Sequence, residues 1–251
     1  MKSVLKEYIR WEGDTRTKLK DEVAKETALA IYVNGRHFTT SMMSPQMKKE
    51  FVLGNLLSEG VIKSTEDVES MRIRDDIAKV ITKSPVKVFA AKKVIVSGCG
   101  GGSGFLDESK LTKVDSKLKL DRKTLFEGIK NILRSELYKR TGGTHTCAIL
   151  EGSKMERIYI AEDIGRHNAL DKVIGYALTE KYLFPDTFVV CTGRISSEMA
   201  LKCSVAKIPI VASIGAVTSL AVDIANKTGI TLIGFVRGRR MNIYSNEQRI
   251  R

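Results

Sequence analysis

Residues 188–214, FVVCTGRISSEMALKCSVAKIPIVASI, contain the alternation that decides the fold. The apolar run over 188–192 predicts a strand, residues 196–206 have the spacing of a helix, and the run over 208–214 predicts a second strand. The alternation continues with a helix over 218–227, ended by Gly229, and a strand over 231–236. Strands and helices that alternate in this way are typical of a largely parallel sheet covered by helices.

Upstream segments extend this pattern and add a different one. Strands are predicted over 145–150 and 157–161, and helices over 122–139 and 166–180. Nearer the N-terminus, Asn34-Gly35 predicts a β-hairpin within 26–41, and Pro45 opens a helix that Gly60 ends. We therefore predict an α/β protein with two parts. A smaller N-terminal α+β part spans residues 1–118, and an α/β domain spans residues 119–251.

The composition excludes several classes of protein. The 251 residues are 43% hydrophobic and 28% charged, which rules out a disordered chain and a disulfide-stapled mini-protein. No apolar run approaches the roughly 20 residues that span a bilayer, and the N-terminus lacks the apolar segment of a secretory signal. We therefore expect a cytoplasmic protein with no membrane partner and with reduced cysteines.

The net charge of +13 indicates an anionic partner. The basic residues are spread along the chain, and no signature of a nucleic-acid-binding module is present. Phosphates of a nucleotide or cofactor, or an acidic protein, explain the charge equally well, as does solubility alone. We therefore expect no nucleic-acid partner; such a partner would require tight, salt-sensitive binding to DNA or RNA.

Polar residues cluster where the predicted strands end. Ligands of α/β sheets bind beyond the carboxyl ends of the strands, where helix N-termini and arginines favour phosphate. We expect these clusters to form one anion-binding rim, although Asp163 or Ser196 could instead cap a helix and either histidine could be a core residue. The candidate residues are His145, Asp163, Arg166, His167, Asn168, Arg194, Ser196, Ser197, Phe235, Val236, Arg237, Gly238, Arg239 and Arg240.

A glycine-rich stretch carries one of the four cysteines. Residues 97–104, SGCGGGSG, contain five glycines, which excludes a helix or a strand interior and predicts a mobile loop that presents the thiol of Cys99. The charged stretch over 110–121 is a candidate linker. Cys147, Cys191 and Cys203 lie in predicted apolar strands or a helix, so we interpret them as core residues.

The segment 162–172, EDIGRHNALDK, resembles the hallmark motif of the FdhD family of formate dehydrogenase accessory sulfurtransferases. The likeness extends to TGGTH at 141–145, TGRISSEM at 192–199, and NIYS at 242–245. It covers nearly the whole chain, from about residue 26 to residue 245. The resemblance implies a cytidine deaminase-like three-layer core in the C-terminal part and a homodimer.

The resemblance also implies a function. The chain would take persulfide sulfur from a cysteine desulfurase onto Cys99. It would deliver that sulfur to the molybdenum or tungsten bis-pterin guanine dinucleotide cofactor, bound as substrate, for the catalytic subunit of formate dehydrogenase. A guanine nucleotide is expected to mimic the cofactor, and no metal site of the chain's own is expected. The family's cofactor-binding segment aligns with 235–240, and we expect Arg166, Arg194, Arg237 and Arg239 to hold phosphates and Asp163 to accept from a guanine amino group.

One departure from the family leaves an alternative open. Many members have Cys-x-x-Cys in the loop, whereas Gly102 stands at the second position here. The chain would then be a single-cysteine carrier or, alternatively, a non-catalytic chaperone that binds the cofactor or the apo-enzyme. A zinc deaminase is a third interpretation, but its His-x-Glu and Pro-Cys-x-x-Cys motifs are missing, because His145 is followed by Thr146-Cys147 and Pro209 by Ile210-Val211.

Overall fold

The computed structural model describes residues 2–84 and 111–251, which form twelve strands and six α-helices. The N-terminal elements are β1 (Ser3–Glu12), β2 (Thr15–Ala24), β3 (Thr27–Val33), β4 (Arg36–Met43), α1 (Lys48–Ser58), β5 (Val68–Arg74) and β6 (Ile77–Thr82). The C-terminal elements are α2 (Arg122–Leu133), α3 (Glu136–Thr141), β7 (His145–Glu151), β8 (Arg157–Asp163), α4 (Arg166–Thr179), β9 (Thr187–Cys191), α5 (Ser197–Val205), β10 (Ile210–Ser213), α6 (Ser219–Thr228), β11 (Thr231–Arg237) and β12 (Arg240–Ser245). The α/β class predicted from the alternation is confirmed.

A six-stranded sheet in the order β12-β11-β10-β9-β7-β8 forms the centre of the C-terminal part. Only the ladders β9–β10 and β10–β11 are parallel, and the other three are antiparallel. The prediction of a largely parallel sheet is therefore wrong. Two of the three antiparallel ladders have a local cause: β7 is joined to β8 by a hairpin that contains Gly152, and β11 to β12 by one that contains Gly238, both glycines at positive φ, and a hairpin joins antiparallel strands. The third, between β7 and β9, is not formed by a hairpin.

Helices cover both faces of this sheet. Along β9, Phe188 and Val190 pack into the cluster that contains α2, whereas Val189 and Cys191 pack into the cluster that contains α4, α5 and α6. This alternation of neighbours is the period-two pattern of a strand buried on both faces. The result is a three-layer arrangement of helix, sheet and helix. A four-stranded sheet in the order β4-β3-β6-β5 forms a further layer beyond α1.

Two glycines bring α1 and α4 into backbone contact. A methyl group on Gly54 of α1 would lie 1.8 Å from the carbonyl oxygen of Asp171, and one on Gly175 of α4 would lie 1.8 Å from that of Glu50. Only glycine allows this approach. The same hydrophobic core contains residues of both the N-terminal and the C-terminal part. The boundary at residue 118 stays a prediction.

Three regions differ from the sequence-based expectations. The predicted helix over 122–139 is two helices, because the Ser135 hydroxyl accepts from the Tyr138 amide and starts α3 as a new helix. The strands β1 and β2 were not predicted; they form a separate antiparallel ribbon, with Ser3 opposite Ala24. The exposed strand β12 was not predicted either. The hairpin at Asn34-Gly35 is confirmed, with both residues at positive φ.

Candidate functional site

The predicted polar clusters meet at one edge of the six-stranded sheet. Residues 163–168, 192–198, 213–218 and 235–240, together with His145, define what we call the carboxyl edge. The loops contact one another directly: the Ser213 hydroxyl donates to the Gly193 carbonyl at 2.6 Å, and the Phe235 amide donates to the Gly215 carbonyl at 2.9 Å. His145 joins them because it lies opposite Asp163 in the β7–β8 ladder.

Three helices begin at the carboxyl edge. Their N-cap residues are Gly165 for α4, Ser196 for α5 and Thr218 for α6; Gly165 has no side chain, and neither Ser196 nor Thr218 caps its helix with a side-chain hydrogen bond. Serine and threonine normally make that bond. The first-turn amides of all three helices therefore have no N-cap side chain as acceptor, and the helix dipoles add positive potential. Such amides are suited to binding an anion.

Arginines add positive charge to the carboxyl edge. Arg194, Arg237, Arg239 and Arg240 are exposed, and Gly238 is exposed between them in the β11–β12 turn. Val236, in contrast, is buried in the core, and Phe235 has a positive φ of 52°. These four guanidinium groups can pair with phosphate oxygens in bidentate geometry.

Arg166 lies against the loop that follows β9. A methyl group on Gly193 would lie 2.7 Å from the Arg166 Cβ and 3.3 Å from the His145 Nδ1. Position 193 therefore requires glycine, because any larger residue would displace the first residue of α4. This contact joins the loop after β8 to the loop after β9.

Asp163 is completely buried and has its own donors. Its carboxylate accepts from the Ser44 amide at 3.0 Å, the Gly165 amide at 2.9 Å and the Asn168 side chain at 3.0 Å, and pairs with Lys172 at 2.5 Å. This geometry contradicts the expectation that Asp163 accepts from a guanine amino group, because the group is inaccessible and saturated. Asp163 instead holds the loop before α4 in place.

Asn168 has a similar structural role in this arrangement. Its side-chain amide donates to the Met42 carbonyl at 2.7 Å as well as to Asp163. The buried ammonium of Lys172 donates to the carbonyls of Ser44 at 3.1 Å and Glu162 at 3.3 Å. Several side chains of the segment 162–172 are thus occupied by contacts that fix the carboxyl edge to the N-terminal part.

His167 is placed between a hydroxyl and a carboxylate. Its Nε2 lies 3.1 Å from the Ser196 hydroxyl, to which it is hydrogen bonded, and 3.1 Å from Oε2 of Glu198. Burial and the nearby Arg166 lower the pKa of His167 from 6.5 to about 3. The imidazole is therefore neutral near pH 7. Ser196 thus bonds His167 rather than capping α5, and Ser197 is the first residue of that helix.

His145 is the second histidine at the carboxyl edge. It is half-buried, and its Nδ1 lies 3.5 Å from the Thr192 hydroxyl. Burial and then Arg166 lower the pKa of His145, and Asp163 only partly offsets them. Both histidines are consequently neutral hydrogen-bonding groups near pH 7, and the positive charge of the edge belongs to its arginines.

Sequence reasoning missed a buried polar network behind the carboxyl edge. The Asp171 carboxylate pairs with Lys202 at 2.9 Å and accepts from Asn55 at 3.0 Å and Ser58 at 2.9 Å. Burial lowers the pKa of Lys202, but Asp171 and Glu59 more than offset this and raise it. The network links α1, α4 and α5. The one signal of this network in the sequence was Lys202, a lysine on the apolar face of the predicted helix over 196–206.

The cysteines of the described residues are all core groups. Cys147, Cys191 and Cys203 are buried, as the sequence predicted. Burial raises the pKa of Cys191 to about 11 and also raises the pKa of the other two thiols. A thiol that stays protonated and covered is unreactive. Cys99, the predicted sulfur carrier, lies outside the described residues.

Two further observations concern the ranges 2–84 and 111–251 only. In them, no group of three or more His, Cys, Asp or Glu side chains is placed to hold a metal ion. No helix in these ranges is long and apolar enough to cross a membrane.

Comparison with known proteins decides the family. The FdhD/NarQ family model matches residues 24–251, which include the whole carboxyl edge. The chain belongs to the FdhD/NarQ family. The match begins at the end of β2, so the β1–β2 ribbon lies almost entirely before it.

Individual members of the FdhD/NarQ family match over nearly their full lengths. The chain is 36% identical over 238 residues to the sulfur carrier protein FdhD of Methanothermobacter thermautotrophicus, covering 94% of each chain. It is 38% identical over 245 residues to the sulfur carrier protein FdhD of Sulfurisphaera tokodaii, covering 95% of each. A crystal structure of a candidate formate dehydrogenase accessory protein from Desulfotalea psychrophila superposes with a TM-score of 0.82, at 28% identity and 99% coverage of each chain.

Proposed function

We propose that this FdhD/NarQ protein is a sulfur carrier that supports formate dehydrogenase. In this proposal it acts as a sulfurtransferase: it accepts sulfur from a cysteine desulfurase as a persulfide on Cys99. It then delivers the sulfur to a molybdenum or tungsten bis-pterin guanine dinucleotide, which it binds as a substrate. The sulfur carriers among its relatives support the first half of the proposal, and the carboxyl edge supports the second.

The convergence of three uncapped helix N-termini at the carboxyl edge is the observation that carries the cofactor half. A bis-dinucleotide presents several phosphates, and each needs donors and positive charge. The first turns of α4, α5 and α6 supply backbone amides, and Arg194, Arg237 and Arg239 supply guanidinium groups. A ligand that spans the loops after β8, β9, β10 and β11 would use all of them.

The proposed loading step is a thiol–persulfide exchange. The Cys99 thiolate attacks the outer sulfur of the desulfurase persulfide, a new S–S bond forms, and the old S–S bond breaks. The desulfurase cysteine leaves as a thiolate, so no external oxidant or reductant is needed. The burial of Cys147, Cys191 and Cys203 supports Cys99 as the carrier, because none of the three can meet a partner protein.

Three associated proposals follow from the family. The chain works as a homodimer, its protein partners are a cysteine desulfurase and the catalytic subunit of formate dehydrogenase, and its C-terminal three-layer part is related to the cytidine deaminase core. The helix–sheet–helix layers of the C-terminal part support the last of these. A systematic superposition on deaminase structures tests it, and native mass spectrometry tests the homodimer.

Complementation tests the proposed function in cells. In a strain that lacks its own carrier, the wild-type chain and a Cys203→Ala control are expected to restore formate dehydrogenase activity, whereas Cys99→Ala is expected to give none. Equal expression of the three proteins is checked by immunoblot. Full activity with Cys99→Ala would overturn the carrier function. It would favour the cofactor-binding chaperone, which the glycine at position 102 makes the second candidate.

A further inference from the structure

The phosphate-binding groups of the carboxyl edge do not explain how the base of a dinucleotide would be recognised. Helix N-termini and arginines bind phosphate of any nucleotide, so they do not distinguish one base from another. Asp163, the carboxylate expected to contact guanine, is buried and saturated by four donors. A different group at the same edge must read the base.

Glu198 is the carboxylate that the carboxyl edge offers. It is the second residue of α5, in the first turn beside the uncapped amides, and its side chain is 27% exposed. Its Oε2 lies 3.1 Å from His167 Nε2. Among residues 2–84 and 111–251, no donor is hydrogen bonded to its Oε1. Glu162, by comparison, accepts from the Ser135 hydroxyl and from the Tyr138 amide at 3.1 Å.

The surroundings of Glu198 favour a ligand donor. Burial raises the pKa of Glu198, and Lys202 and Arg166 only partly offset this, while Glu59 adds to it. The imidazole of His167 is neutral, so it does not balance a negative charge on Glu198. Partial burial of a carboxylate with few protein donors costs free energy, and a ligand that donates N–H groups to it would offset that cost.

We propose that Glu198 determines base specificity by binding the 2-amino-4-oxo edge that guanine and pterin share. That edge presents two adjacent N–H donors, one on the ring and one on the amino group, and the two oxygens of a carboxylate match them. Adenine presents an acceptor at the ring position, and hypoxanthine lacks the amino group. His167 acts as a positioning residue, because its contact with Oε2 holds the carboxylate in place. This inference rests on the proposed function.

Calorimetric titration of the full chain with nucleoside diphosphates tests the inference. The wild type is expected to bind GDP more tightly than IDP or ADP. Glu198→Gln is expected to weaken GDP binding roughly ten- to a hundredfold and to leave ADP and inorganic pyrophosphate binding unchanged. Glu136→Gln, at an 83% exposed position in the first turn of α3, is the matched control and is expected to bind like the wild type.

The results of this titration distinguish a failure of the Glu198 inference from a failure of the proposed function. If Glu198→Gln keeps the wild-type preference for GDP, Glu198 does not read the base, and the proposed function survives. If the wild type binds no nucleotide, the inference fails together with the cofactor half of the proposed function. Retained pyrophosphate binding shows that Glu198→Gln is folded. If Glu198→Gln unfolds, Glu198→Asp is used in its place. Its carboxylate is shorter, so the variant is expected to lose part of the preference for GDP over IDP and ADP. An undiminished preference would overturn the inference.

Discussion

Replacing Gly54 with alanine tests whether direct backbone contact between α1 and α4 holds the two parts of the molecule together. The added methyl would lie 1.8 Å from the Asp171 carbonyl oxygen and 2.8 Å from the Gly175 amide nitrogen. Backbone cannot swing away as a side chain can. The helices would therefore have to separate by about 1.2 Å to reach even a 3.0 Å contact, in a core that is close-packed.

The magnitude follows from two opposing terms. Overpacking a core typically costs about 1–3 kcal/mol, and a clash against backbone belongs at the upper end. Alanine gains about 1 kcal/mol over glycine in helix propensity. The net loss in the free energy of unfolding is expected to be about 2 kcal/mol, which lowers the Tm by roughly 4–8 °C for a chain of this size.

Urea unfolding followed by circular dichroism measures this loss. Gly128→Ala in α2 is the matched control, because its methyl would meet only ordinary contacts, the nearest 3.4 Å away at Phe188. That variant is expected to be as stable as the wild type or up to about 1 kcal/mol more stable. A Gly54→Ala protein as stable as Gly128→Ala would refute the account of the α1–α4 contact.

Three further predictions concern buried charge, pH and the anion site. Asp171→Ala leaves the buried Lys202 with only Glu59, at 3.5 Å, as a charged partner and is expected to lower the free energy of unfolding by about 3 kcal/mol; a loss below about 1 kcal/mol in urea unfolding would contradict this. Because the pKa of His167 falls from 6.5 to about 3 on folding, the unfolded chain binds the extra proton between these values. His167 therefore makes stability rise with pH through that window, by up to about 1.4 kcal/mol per pH unit. His167→Gln is expected to flatten this slope in unfolding curves measured across the window, and an unchanged slope would contradict the shift. Arg194→Ala removes an exposed charge and is expected to weaken GDP binding roughly tenfold in calorimetry without changing the Tm; unchanged affinity would remove Arg194 from the site.

Much of the fold could be predicted because it depends on local chemistry. The hairpin at Asn34-Gly35 needs two residues at positive φ, and the sequence supplies the two types that accept it. The break between α2 and α3 could not be predicted from spacing, because Ser135 is also held by Glu162 of β8, which is distant in sequence. Sheet direction also escaped the pattern, since alternation does not reveal which turns are tight hairpins.

The candidate site, like the fold, could be predicted only in part. The convergence of the loops at one edge was predicted, because β8, β9, β10 and β11 do run in the same direction and end at the same edge. The structural role of Asp163 did not follow, because its burial and saturation depend on donors from remote segments, such as Ser44. A carboxylate that looks available in sequence can be fully occupied in the fold. Glu198 lies in the TGRISSEM segment but was not among the predicted site residues, because its contact with His167 depends on the fold.

Intact-protein mass spectrometry tests directly whether Cys99 carries sulfur. The chain is mixed with a cysteine desulfurase and cysteine, and wild type, Cys99→Ala and Cys203→Ala are compared. The wild type and Cys203→Ala are expected to gain the mass of one sulfur atom, and a reductant is expected to remove it. Cys99→Ala is expected to gain nothing. A sulfur gain by Cys99→Ala, or none by the wild type with an active desulfurase, would contradict the account.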